Sequence, residues 1–139
     1  MNRMVLVGAL VVMSGALASN AALAQSGTSL GTVHIARKMM ADGKPLAAGT
    51  YQVRLTTDEP KPAVGQAPGA ERYVEFVKGG QVVGREVATV ISAEDIKKIV
   101  KGKGPQAGGS TVEMLKGGDF WRVWINHSGM NYLINMPPA

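Results

Sequence analysis

The chain has 139 residues, room for one ordinary domain and too few for two. With 45% hydrophobic and 18% charged residues it is not a disordered polymer, and its 18 glycines follow no Gly-X-Y period, so it is not a collagen. The net charge is +5 and there is no cysteine, which excludes disulfides, thiolate metal ligands, a cysteine nucleophile and a lipid-modified cysteine.

Arg3 is the only charge before an apolar run that begins at Val5, and small residues follow, ending in Ala22-Leu23-Ala24. A positive end, an apolar middle and small side chains at a cut site make the plan of a secretory signal. The expected cleavage falls between Ala24 and Gln25, leaving residues 25–139 as one domain, secreted or periplasmic. The apolar run is broken before it reaches the ~18 residues of a membrane span, and no second long run follows, so no transmembrane anchor is expected in the mature form.

Beyond the signal, apolar residues recur every second position, the period of a half-buried strand. Val33 and Ile35 begin the pattern, with a possible extension to Met39. Asp42-Gly43-Lys44-Pro45 supplies turn chemistry, and Tyr51, Val53 and Leu55 form the next strand. Further strands are predicted over 72–78, 81–92, 110–116, 119–126 and 130–136, about seven in all, the density of a sandwich or barrel. Val74-Glu75-Phe76-Val77-Lys78-Gly79-Gly80 is echoed by Val112-Glu113-Met114-Leu115-Lys116-Gly117-Gly118, which reads as one hairpin solution used twice. Asn126-His127-Ser128-Gly129 marks another hairpin; its Asn-x-Ser pattern is assigned no function.

One segment departs from this period. From Ser92 to Gly102 the chain reads as a short helix, with Ser92 as cap, Glu94 and Asp95 at the positive end of the dipole, and lysines toward the other end. Ile96, Ile99 and Val100 are expected to dock on the sheet. The expected fold is therefore all-β, a single antiparallel β-sandwich of about seven strands with one short helix.

No catalytic set emerges. His34 and His127 are the only histidines, they are far apart in sequence, and no Gly-x-Ser-x-Gly elbow or phosphate loop occurs. Metal sites need several close His, Cys or carboxylate ligands, so neither a metal nor a cofactor is expected. Arg54, Arg85, Arg122, Glu75 and Glu86 are candidates for an uncharacterised enzyme site on a sheet face, or equally for cross-strand ion pairs. Two groups are candidates for binding. Lys97, Lys98, Lys101 and Lys103 make a basic cluster that suits an anionic lipid or polymer, or else solvates the helix. Phe120, Arg122 and Trp124 alternate onto one strand face and would be either an exposed binding patch, such as a platform for a glycan, or a face covered by a loop or partner. With no recognised motif, sequence-specific nucleic-acid binding is not expected.

The stretch Asp42-Gly43-Lys44-Pro45-Leu46-Ala47-Ala48-Gly49-Thr50-Tyr51-Gln52-Val53 resembles small secreted bacterial β-sandwich proteins carrying Gly-Lys-Pro-Leu-x-x-Gly-x-Tyr-x-Val. It is also similar to the start of transthyretin-like or carboxypeptidase-regulatory-like modules. The resemblance covers about a dozen residues. It implies a sandwich and an exported location, and it carries over no catalytic or ligand residue. The expected function is a non-enzymatic envelope or periplasmic protein that binds or scaffolds an envelope protein, a glycan or an anionic surface.

Overall fold

The computed structural model describes residues 27–61, 64–65, 69–100, 102–115 and 117–139. The expected signal segment, its cut at Ala24 and Gln25, and Lys101 lie outside them. The chain forms β1 (Thr28–Ile35), β2 (Met39–Ala41), β3 (Lys44–Leu46), β4 (Gly49–Leu55), β5 (Glu71–Lys78), β6 (Gln81–Ser92), the helix α1 (Ala93–Ile99), β7 (Ser110–Met114), β8 (Trp121–His127) and β9 (Met130–Met136). Seven strands make one antiparallel sheet in the order β1-β4-β5-β6-β9-β8-β7.

The period of two determines how this sheet closes. Val33 and Ile35, Tyr51 and Val53, Val74 and Phe76, Val123 and Ile125, and Tyr132 and Ile134 are all buried in one core cluster. Their neighbours His34 and Gln52 point to solvent. Strands at both ends of the order share a single interior, so the sheet curls into a nearly closed barrel. The two layers of the expected sandwich are halves of this one sheet. Six antiparallel pairings separate β1 from β7, so the two border strands run in the same direction. They meet where the Ser110 hydroxyl donates to the Thr32 carbonyl at 2.8 Å.

The turns follow their residue types. Gly79 and Gly80, with φ of 60° and 78°, join β5 to β6 in a two-residue turn that needs positive φ at both positions. Ser128 and Gly129 do the same between β8 and β9, Ser128 adopting a φ of 51° without being glycine. Gly117 and Gly118 lie in the connection from β7 to β8, so both copies of the echoed motif form antiparallel hairpins.

The region after Ile35 departs from the expected single strand. The chain leaves the sheet at Ala36, and Met39 opens a separate small hairpin with β3, turned at Asp42 and Gly43 alone. Lys44 and Pro45, expected in the turn, belong to β3. The hairpin places Met39, Ala41 and Leu46 in the main core and is fastened by the Asp42 amide, which donates to Glu86 Oε1 at 2.7 Å. Beside it the Tyr51 hydroxyl donates to the Ala47 carbonyl at 2.6 Å, and burial pushes the Tyr51 pKa up.

Helix α1 starts as its sequence dictates. Ser92 is the N-cap, its hydroxyl accepting the Asp95 amide at 3.2 Å, with Glu94 and Asp95 in the first turn and Lys97 and Lys98 in the last. It stops earlier than expected, after seven residues, because Val100 turns to an extended conformation while its amide still donates to the Ile96 carbonyl. Ile96 is buried, but Ile99 does not dock: it is 61% exposed. A step of three residues rotates a side chain about 300° around a helix, so Ile99 leaves the line of Ile96, and the extended Val100 packs against the cluster in its place.

Candidate functional site

Strands β8 and β9 carry apolar side chains on their outer face as well as their inner one. Trp124 faces Leu133 across the pair, away from the core residues Val123, Ile125 and Ile134. Left bare, these rings and chains would form an exposed apolar patch. Helix α1 and the following loop cover it, and Ile91, Ile96 and Trp124 become a second buried cluster with Val100 and Leu133 packed against it.

Polar bonds fix this outer layer. The Trp124 indole N–H donates to Asn131 Oδ1 at 2.8 Å, with both residues buried, so neither group is left unpaired. Asn126 Nδ2 donates to the Pro105 carbonyl at 3.1 Å, and the Asn126 backbone exchanges bonds with Gly108 and Gly109 at 2.8 and 3.0 Å. The loop after α1 is therefore pinned to β8. Gly104 lies so close over the indole that a Cβ there would sit 2.3 Å from Trp124 Cζ2. Gly104→Ala is expected to cost about 1–3 kcal/mol through overpacking against a rigid ring, read as a lowered denaturation midpoint. The cost is expected to shrink markedly when Trp124 is first replaced by Leu, the mark of direct coupling.

Between α1 and this loop lies a cavity of about 330 Å³. Ile96, Val100 and Trp124 give it apolar walls, Asn126 and Asn131 contribute amides, and Lys97 and Lys103 supply the charge. Lys97 and Lys103 are exposed, while the floor is not. The arrangement can hold an anion whose apolar part lies against the ring. It brings no nucleophile and base together.

The candidate residues thus separate. Lys97, Lys103 and Trp124, drawn from two different candidate groups, share one cavity. Lys98 lies on the opposite flank of α1, 3.7 Å from Asp95, and Lys101 is outside the described residues. The face of Phe120, Arg122 and Trp124 is not an open platform: Trp124 is 6% exposed beneath the loop, Arg122 pairs with Glu113 across the strands at 3.8 Å, and only Phe120 is well exposed.

Arg54, Glu75 and Arg85 fall in one row across β4, β5 and β6. Arg85 stacks on the Tyr73 ring at 3.8 Å and reaches Asp58 at 4.0 Å. Glu86 is engaged by the small hairpin and Arg122 by β7, so the five charges do not converge. His34 lies on β1 and His127 at the end of β8. Among the described residues no three His, Cys, Asp or Glu side chains group to hold a metal, and no helix is long and apolar enough to cross a membrane.

Asn126, Asn131, Gly104 and Pro105 do not stand out in the sequence. The usable signal is a set of apolar residues at outward positions, Ile91, Trp124 and Leu133, which announce that something lies over that face. The molecule is an all-β, barrel-like domain with one short helix laid over an aromatic floor. Comparison with protein families, curated proteins and solved structures gives no match.

Proposed function

We propose that the protein is an exported, non-enzymatic binding module of the cell envelope or periplasm, and that its ligand is an anion with an apolar portion seated between α1 and the 102–109 loop. The observation that carries this reading is the meeting of Lys97 and Lys103 with Trp124 around one cavity. Few convergent polar groups over an apolar lining is the usual make-up of a small-ligand site. The N-terminal signal pattern supports export, and the resemblance at Asp42–Val53 supports the same location.

The test is a fluorescence titration in a Trp121→Phe background, which leaves Trp124 as the sole indole. Hexyl phosphate is expected to give a saturable change that weakens with salt, and hexanol a much smaller one. Replacing Lys97 and Lys103 by Gln is expected to weaken hexyl phosphate binding about tenfold for each charge-assisted hydrogen bond removed. No saturable response to hexyl phosphate, or a response indifferent to both lysines, would remove the site.

A further inference from the structure

The tip of α1 carries more than the cavity beneath it requires. Ile99 projects into solvent there, the second most exposed large apolar side chain among the described residues. It lines a hollow on one flank of the helix, and the cavity holding Lys97 and Lys103 lies on the other. The hollow beside Ile99, also about 330 Å³, is lined by Val90, Ile91 and Ile99 with Ser92, Asp95 and Lys98 at its polar edge. The exposed aliphatic side chain thus sits beside Lys98, with Lys97 and Lys103 across the helix.

The charges are also segregated along the helix. Glu94 and Asp95 occupy the first turn and the lysines the last turn and the chain beyond. The contact of Asp95 with Lys98 is made between two largely exposed groups, so it holds the lysine weakly. The tip thus offers positive charge around a protruding hydrocarbon. A soluble anion engages the lysines but gives Ile99 no reason to stand in water. A nucleic-acid backbone likewise has no use for an exposed aliphatic side chain. A bilayer with anionic headgroups over hydrocarbon satisfies both parts of the pattern.

We infer that the tip of α1 docks on an anionic phospholipid bilayer, with Ile99 entering the boundary between headgroups and acyl chains and Lys97, Lys98 and Lys103 against the phosphates. This extends the proposed anion site to the surface around it and fails separately from it.

The experiment is co-sedimentation of the purified protein with phosphatidylcholine vesicles, with and without phosphatidylglycerol. Binding is expected only with the anionic lipid, falling as salt rises. Each lysine among the three replaced by Gln is expected to weaken it about fivefold. Ile99→Ser, a change at an exposed position that leaves the charge intact, is expected to weaken it about tenfold. Ile99→Trp is expected to shift its emission to the blue on anionic vesicles.

Equal binding to neutral vesicles, or binding unchanged by Ile99→Ser, would overturn the docking. Saturable hexyl phosphate binding without vesicle binding would also overturn it and leave the cavity site standing. Vesicle binding without any hexyl phosphate response would support the docking and remove the cavity site. Binding of a polyanion such as heparin with the same lysine dependence, in the absence of vesicle binding, would reassign the tip to a soluble polymer.

Discussion

Phe76→Ala is expected to lower the stability of the fold by about 3–5 kcal/mol, measured by equilibrium denaturation in urea. Phe76 is fully buried on β5, near the middle of the strand order, with its ring edge-on to Tyr51 at 6.2 Å and 84° between planes. It stands opposite Gly84 on β6, which offers no side chain of its own to that contact. Removing the ring leaves a void in a curved wall whose strands are tied to neighbours on both sides, so little of the space can collapse. Val83→Ala, on the same hairpin but 46% exposed, is expected to change stability by no more than about 0.5 kcal/mol. Similar costs for the two would mean that the interior lies on the wrong face of β5 and β6.

Trp124→Ala is expected to cost about 3–5 kcal/mol as well, with an additional structural signature. A helix of seven residues does not hold its conformation by itself in water, and Ile96 on Trp124 and Ile91 is the packing that keeps α1 in place. Loss of the ring is therefore expected to release the helix and the loop after it, seen as faster tryptic cleavage after Lys97, Lys98 and Lys103. Trp124→Phe separates packing from hydrogen bonding. It retains an aromatic ring but leaves Asn131 Oδ1 buried without its donor, at a cost of about 1–3 kcal/mol. With this variant, protection of the helix from trypsin is expected to be largely kept. Trypsin resistance unchanged by Trp124→Ala would show that α1 is held by something else.

The strands are legible in the sequence because one interior imposes one period. Val74 and Phe76, or Tyr132 and Ile134, alternate since each sits on the concave face of the same sheet, and the period slips only at Val77, where the pairing of β5 with β6 shifts register. The helix start is legible for a local reason, the hydroxyl of Ser92 within reach of the free amide of Asp95. Its end is not. At that end Val100 is extended and packs against the cluster that includes Trp124, a residue on a strand far along the chain, while Ile99 is left exposed.

The small β2–β3 hairpin escapes a reading by period because three-residue strands are too short to display one. The candidate site is half legible for a similar reason. Alternation assigns Trp124 to the outward face, but only the tertiary fold says that α1 covers it, and so brings Lys97 and Lys103 to the same cavity. Lysines and tryptophan are each visible along the chain; their meeting is not.

The bond from Ser110 to Thr32 bears on motion. The pairings of β5 and β6 are backbone ladders on both flanks, whereas the two border strands run alongside each other and touch through a hydroxyl. The ring is closed by a clasp rather than a weld. Breathing of the wall is expected to begin there, with amide protons along β1 and β7 exchanging with solvent before those of the central strands.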